Sequence, residues 1–567
     1  MPVIVKWWSQ KVNPSVISLL LGGLLFRIIV AIWLPPGFDE AYYYMYSQHL
    51  DWSYFDHPAL VALTTGLGTW LTGEVSPFTI RWGALLLHTV SLWLLYLTSA
   101  RLFNNQVAKL TLAIATIIPI FQFAFGILTL PDCPLIFFWS ASLYCAATEF
   151  FPHQVISRNA KNYYQPSYRL AILGVLIGLA CLGKYHGFVL GLSLVGFCLT
   201  SPPHRRALAS PWTFLGLALF IWTLFPLWFW NIKHDWISFT FQLSARFEPA
   251  PGEIKANGYS LLGVLIAFLS GIGYLFPTMG FPLWWVSFKA LFVRKKEVVN
   301  RKKIQRLKEK YSEKYLDNKS NYQQQKQWLI LCLSLPLTLG FTLLGGKEAI
   351  LPTWSMPGFW SLTLLLGLKA ATWQQQSQRR VKRWLRGTAI FLVSLTLFAL
   401  LHMNLGTLQT PSQYAIFGGL IAPKNDPSRE LIDIKQLRQA VINSPLLTEA
   451  LSNSSFIFTN AYYLSGYVGM ALSPITSIPI TCFGNDIRGF AFWSQPKQWL
   501  GKDGLYITLE RFHTMPGISD DFSNYFQEFE VITTIPLQRG GAVTDTFYVY
   551  RARNFLKLYP SLPKVSH

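Results

Sequence analysis

The sequence predicts a polytopic α-helical membrane protein of about eleven spans followed by a C-terminal α/β extracytoplasmic domain, and three observations predict it. Hydrophobic residues make up 51% of the chain and charged residues only 13%, with a positive mean hydropathy. This balance excludes an ordinary soluble protein of this length. Apolar runs long enough to cross a bilayer recur up to about residue 404. Beyond residue 407 the composition becomes that of a soluble domain: 13 Lys and Arg face 12 Asp and Glu there, so all but one of the net +21 charges lies earlier. The expected division is therefore 1–406, a multi-span unit with functional outer loops, and 407–567, a soluble α/β domain. A nucleic-acid partner would also suit a basic chain, but an excess confined to loops between apolar runs fits membrane orientation, and no nucleic acid is expected.

The first run, residues 15–34, is long enough to cross about 30 Å of hydrocarbon, and no small-residue cleavage site follows it, which predicts an uncleaved span. Further runs cover residues 79–100, 107–126, 134–151, 170–183, 187–200, 212–230, 259–292, 328–344, 353–372 and 387–404. The run 259–292 is too long for one straight crossing and is interrupted by Pro277 and Pro282. Counted as one crossing, it places the Lys- and Arg-rich loops 101–109, 158–169, 204–206, 294–326 and 379–386 on one side, the cytoplasm by the positive-inside tendency. Within them "RKKEVVNRKKIQRLKEKYSEK" reads as a solvated loop attracted to anionic headgroups. After residue 407, strands are expected at "SFIFTNAYYL", "GLYITLE", "FEVITTIPL" and "TDTFYVYRARNF", with a helical stretch over 431–451. The six cysteines show no metal or disulfide spacing and read as apolar fillers.

The opposite set of loops carries the candidate chemistry. "PPGFDEAYYYMYSQHLDWSYFDHPALVAL" places Asp39, Glu40, Asp56 and His57 where the chain leaves the first span. The plain reading of Asp39 and Glu40 is a helix cap and an acidic first turn. Adjacent carboxylates also point in different directions on a helix, so one can face a reaction centre while the other holds a partner. Asp132, between Pro131 and Pro134, is a costly place for a carboxylate unless it faces a cavity or a counter-charge. Lys184, beside Tyr185, ends a short apolar run, where snorkelling is the alternative. Arg27 and Arg81 suit a phosphate near the headgroup plane, or serve as anchors. Arg246, Lys347 and Glu348 are further candidates on this face. Carboxylates that activate a nucleophile, with cations that hold an anionic leaving group, are the parts of group transfer from a phosphate-linked donor. At the membrane plane that donor is lipid-borne. A transporter or flippase is the rival from another class, although no internal repeat is found and the acids sit at span ends. A noncatalytic sugar-binding or assembly subunit is a third reading.

The order "FDEAYY", "YFDHPAL", "RWGALL", "LPDCPLIFFW", "CLGKYHG", "NIKHDWISFTFQL" and "KEAILPTW" resembles the multi-span glycosyltransferases of family 39 and their relatives, over about residues 15–404. These include protein O-mannosyltransferases, lipid A aminoarabinose transferases and bacterial lipopolysaccharide-core transferases. The resemblance implies a GT-C fold in a bacterial inner membrane, and inverting transfer from a polyprenyl-phosphate sugar to a glycolipid, polysaccharide or protein on the outer face. It implies Asp39 as catalytic base with Glu40 beside it, Asp132 as a second acidic residue, and Lys184 and His57 at the donor phosphate. His57 stands where the aminoarabinose transferases have lysine, so its charge depends on its surroundings. Asp56 is the candidate ligand for a divalent metal, but "FTFQLSARF" has no histidine where those enzymes place a metal-binding one; Gln242 or Leu243 is nearest. Tyr462, Tyr463, Asn485, Asp486, Arg488 and Trp493 offer a polar and aromatic sugar-binding edge, or, on the plainer reading, a structural core.

Overall fold

The computed structural model describes residues 13–152, 164–243, 258–304, 314–484, 486–514 and 522–559, and the side chains of 293–320 are outside that description. Arg246, Asn485 and the side chains of the long basic segment therefore lie outside the described residues.

Helices fill the chain up to Leu405. Among the described residues four are long and apolar enough to cross a bilayer: Pro14–Trp33, Thr79–Leu102, Asn321–Leu344 and Gln378–Leu405. Three bent pairs bring the number to seven if each is one span. Length and apolarity alone thus do not reach the expected eleven. Runs 170–183 and 187–200 fold as Arg169–Gly183 and Gly187–Thr200, helices of 15 and 14 residues.

Proline sets the bends. Asn105–Ile117 and Pro119–Gly126 meet at 75°, Pro211–Thr223 and Phe225–Lys233 at 44°, and Leu261–Leu275 and Pro277–Phe292 at 119°. In each pair a proline occupies the first or second position of the later helix, where its missing N–H costs nothing while its ring disfavours helical backbone in the residue before it. The run 259–292 breaks at Phe276, whose φ is +67°, whereas Pro282 stays inside a helix.

Inside the bundle, small residues and indole hydrogen bonds supply the contacts that lipid-facing packing cannot. A Cβ on Gly174 would stand 2.0 Å from the Gly216 carbonyl oxygen, so Arg169–Gly183 and Pro211–Thr223 meet backbone to backbone. Trp139 donates to Ser361 and Trp360 to Ser140, each at 2.9 Å, which ties Asp132–Phe150 to Met356–Gln376 reciprocally. At the end expected to be basic, Lys326 donates to the Leu102 carbonyl, Trp328 to Thr200 and Gln106 to Gln374. At the other end Asn404 donates to the Trp33 carbonyl and Tyr259 to the Leu343 carbonyl.

The C-terminal part carries a five-stranded mixed sheet, ordered β2-β1-β3-β5-β4. Strands β1 (Phe456–Thr459), β2 (Ile480–Cys482) and β3 (Gly504–Leu509) are parallel, while β4 (Phe526–Arg539) and β5 (Ala542–Phe555) form a long antiparallel hairpin on β3. Gly540 and Gly541 close that hairpin with φ of +55° and +84°, the pair of left-handed residues a two-residue turn requires. The stretch expected as the strand "SFIFTNAYYL" changes to helix at Tyr462, and the stretch 431–451 is two helices, Ile434–Asn443 and Pro445–Ser452, divided at Pro445.

Candidate active site

The site is built around the helix Phe38–Gln48, which follows the first span after Pro35-Pro36-Gly37. Its N-cap is Gly37, not Asp39. Glu40, at the third helical position, turns back to accept from the Gly37 N–H at 2.9 Å. The same carboxylate accepts from Arg81 Nε at 2.9 Å and Nη2 at 2.6 Å, and from the Thr129 N–H at 3.0 Å. The remaining Arg81 hydrogens go to the carbonyls of Ala31, Leu34 and Pro35. All five donors of Arg81 are engaged, and both partners are buried. This overturns the expectation for Arg81: with no N–H to offer, it clamps the turn after Pro14–Trp33 to the helix Thr79–Leu102 and does not hold a phosphate. Glu40, with both oxygens doubly engaged, is likewise a positioning group.

Asp39 points elsewhere, being rotated about 100° from Glu40 around the helix. It is half-buried, and its charge is felt by Tyr43, Tyr462 and Tyr467. Three residues beyond Thr129, Asp132 starts the helix Asp132–Phe150, and both its oxygens accept from Lys184 Nζ, at 2.9 and 2.7 Å. Lys184 reaches it because the helix before it ends on Gly183, against the backbone of Leu135. The pair is buried. The expected costly carboxylate thus has its counter-charge.

Asp56 is also buried, and accepts from the hydroxyls of Tyr46 and Tyr42. Its other oxygen takes Arg488 Nη1, from the C-terminal part, at 3.1 Å. Gln242, nearest to the absent metal-binding histidine, donates to the Asp56 carbonyl. Among the described residues no three His, Cys, Asp or Glu gather as metal ligands. Asp56 faces a guanidinium, which does not fit a cation at the same oxygens. His57 is buried, its ring 5.6 Å from that of Tyr43. Tyr185 packs against Phe239 at 5.6 Å and feels the Asp56 charge.

Arg27 departs from its expected place. It is fully buried within the first span, donating to Gln122 at 2.8 Å and Thr89 at 2.9 Å, beside His88 and Gly126. Lys347 is exposed, in the turn that follows the helix ending at Leu344. Glu348 shares that turn, a few residues beyond Phe341, whose ring lies 5.3 Å from His186.

The C-terminal part is seated directly on the helix that carries Asp39. A Cβ on Gly466 would lie 2.7 Å from the backbone of Ala41 and Tyr42. Tyr467 donates to the Pro36 carbonyl, Tyr44 bonds with Ser473, and the Gly489 N–H donates to Tyr42. The expected aromatic edge divides: Tyr462 lies beneath Arg488, 3.8 Å from ring centre to guanidinium, and Trp493 stacks on His49 at 4.8 Å. The Tyr42 and Tyr46 contacts to Asp56 were not anticipated; their signal was the four-residue spacing that aligns two hydroxyls on one helical face.

The protein so described is a bundle of largely apolar helices in which carboxylates and cations from remote segments pair. A family model for dolichyl-phosphate-mannose-protein mannosyltransferase matches residues 56–230. The lipid A galacturonosyltransferase RgtD of Rhizobium johnstonii is 24% identical over 283 residues, 49% of this chain and 54% of its own, so the match spans about half the length of that relative. ArnT from Cupriavidus metallidurans shares the fold over 94% of this chain and 97% of its own, with a TM-score of 0.56 at 12% identity in the apo state. The same protein bound to undecaprenyl phosphate matches over 95% and 98%, again with a TM-score of 0.56 and 12% identity. The chain thus shares the fold of ArnT over nearly its whole length, and its residues 56–230 match the mannosyltransferase family model.

Proposed function

We propose that this chain transfers a sugar, with inversion, from a polyprenyl-phosphate donor to an envelope glycolipid, polysaccharide or protein at the outer face of a bacterial inner membrane. Its membrane unit, 1–406, carries the site, and the part beyond 407 lies on the same outer side. The observation that carries this reading is the arrangement around one short helix: the Glu40–Arg81 clamp presents Asp39 beside the segment that delivers Asp132 and Lys184. Asp39 takes the proton of the acceptor hydroxyl as its oxygen attacks the anomeric carbon. The bond from that carbon to the phosphate oxygen breaks, and the polyprenyl phosphate leaves with the bonding pair. Lys184, through the N–H left after its two contacts to Asp132, and His57 stabilise the departing anion. The name of the matching relative, a lipid A galacturonosyltransferase, supports a lipid A-type acceptor.

Mass spectrometry of envelope glycolipids and glycoproteins from a deletion strain tests this. One molecule should lose one sugar, regained with the wild-type gene but not with Asp39→Asn. An unchanged envelope in the deletion strain, or full rescue by the variant, rejects the reading.

A further inference from the structure

The C-terminal part delivers one guanidinium into the site, and its surroundings are unlike those of the other arginines there. Arg81 has no free hydrogen, and Arg27 is enclosed among neutral partners within the bundle. Arg488 lies over the ring of Tyr462 and gives Nη1 to Asp56 at 3.1 Å and Nε to Asp486 at 3.3 Å. Its Nη2 makes no hydrogen bond among the described residues, and its side chain is 23% exposed while that of Asp56 is 2%. One edge of the fork is therefore open.

Two features make this placement deliberate. Arg488 has φ of +42°, a left-handed conformation that a non-glycine residue holds only when neighbouring contacts impose it. That contact comes from the next residue, Gly489, which donates to Tyr42 on the helix of Asp39. Asp56, for its part, already accepts from Tyr46 and Tyr42, so its charge stays solvated by hydroxyls if Arg488 turns away. Tyr462 beneath the guanidinium feels both Asp39 and Asp56, and Tyr185, next to Lys184, feels Asp56. Tyr43 and Tyr462 feel Arg488 together with Asp39 and Asp56, so the guanidinium shares their surroundings.

Resting on the function proposed above, we infer that Arg488 is a substrate-binding residue: its open edge takes a phosphate oxygen of the lipid-linked donor, exchanging Asp56 for that anion, so that the C-terminal part completes the donor site. A planar fork suits two oxygens of a phosphate group, and stacking on Tyr462 keeps it oriented during the exchange. Asp56 then acts as the resting counter-ion that keeps the site from holding an uncompensated guanidinium when empty.

The exchange makes a prediction that a purely structural bridge does not. Removing either partner of a structural bridge has the same kind of effect, whereas a counter-ion competes with the ligand. Binding of undecaprenyl phosphate, of inorganic phosphate and of uncharged undecaprenol is measured on the purified full chain, with wild type, Arg488→Gln, Arg488→Lys and Asp56→Asn, alongside the KM and kcat of transfer. Arg488→Gln should weaken undecaprenyl phosphate at least tenfold and raise the donor KM, with undecaprenol unaffected. Arg488→Lys should fall between the two, and it carries the test if the glutamine variant fails to accumulate. Asp56→Asn should tighten undecaprenyl phosphate. Inorganic phosphate should compete only weakly, because the lipid tail supplies the rest of the affinity; dependence on Arg488 for inorganic phosphate alone would overturn the inference. Unchanged lipid-phosphate affinity in Arg488→Gln, or equal weakening by Arg488→Gln and Asp56→Asn, also overturns it while leaving sugar transfer intact as a reading. A wild-type chain that neither binds the lipid phosphate nor transfers sugar rejects both.

Discussion

Arg81 gives Nε and Nη2 to the two oxygens of Glu40, at 2.9 and 2.6 Å, and its other three hydrogens to backbone carbonyls at the end of the first span. The pair joins the second span to the helix that presents Asp39, and Thr129 extends the link toward Asp132. Its role is geometric: it sets where the neighbouring carboxylate stands.

Breaking this pair from one side should unfold the turn that follows the first span. Arg81→Met leaves Glu40 charged and buried, at a cost of about 3–5 kcal/mol. A thermal-unfolding series in detergent should show the loss, with Glu40→Gln milder because its amide oxygen still accepts hydrogen bonds. Equal wild-type stability for Arg81→Met would contradict the clamp.

Asp39→Asn keeps the shape of the helix start and the whole Glu40 network, so the variant should unfold like wild type. Loss of the proposed base should lower kcat by roughly 10²–10⁴-fold. Single-turnover assays with saturating donor separate this from donor affinity, which should change little.

Arg27→Met addresses the arginine within the first span. Enclosed by Gln122, Thr89 and His88, it has no route to a donor phosphate. Donor KM should therefore stay within about threefold of wild type, whatever happens to stability once Gln122 loses its partner. A large rise in KM would place Arg27 back at the phosphate.

Gly466→Ala probes the seat of the C-terminal part. The added methyl would meet backbone atoms of Ala41 and Tyr42 at 2.7 Å, and overpacking of this kind costs about 1–3 kcal/mol. Because the displaced helix carries Asp39, transfer should fall together with unfolding temperature. A neighbouring change to exposed Ile475 should alter neither.

Much of the proposed site is legible as residue types. Asp39, Asp132 and Lys184 stood out because a charge beside an apolar run is costly, and that cost is visible in one dimension. Their partnerships were not. Asp132 and Lys184 are 52 residues apart and Glu40 and Arg81 are 41 apart, and nothing in either local pattern says which acid meets which base. Arg81 looked like a phosphate ligand for the same reason it makes a good clamp: five fixed donors suit carbonyls and carboxylates as well as phosphates. Arg488 reads as part of a sugar-binding edge or, more plainly, of a structural core, because aromatic neighbours are ordinary in a core.

By itself the sequence determined that this chain is a helical membrane protein with a different, soluble composition after residue 407, and it marked the prolines at which helices bend. Those properties follow from apolar run length and backbone covalent geometry, which are local. Which acid pairs with which base was decided only by tertiary structure: Glu40 with Arg81, Asp132 with Lys184, Asp56 with Arg488. A buried charge takes its role from whatever donors surround it, and those arrive from segments as distant as residues 56 and 488.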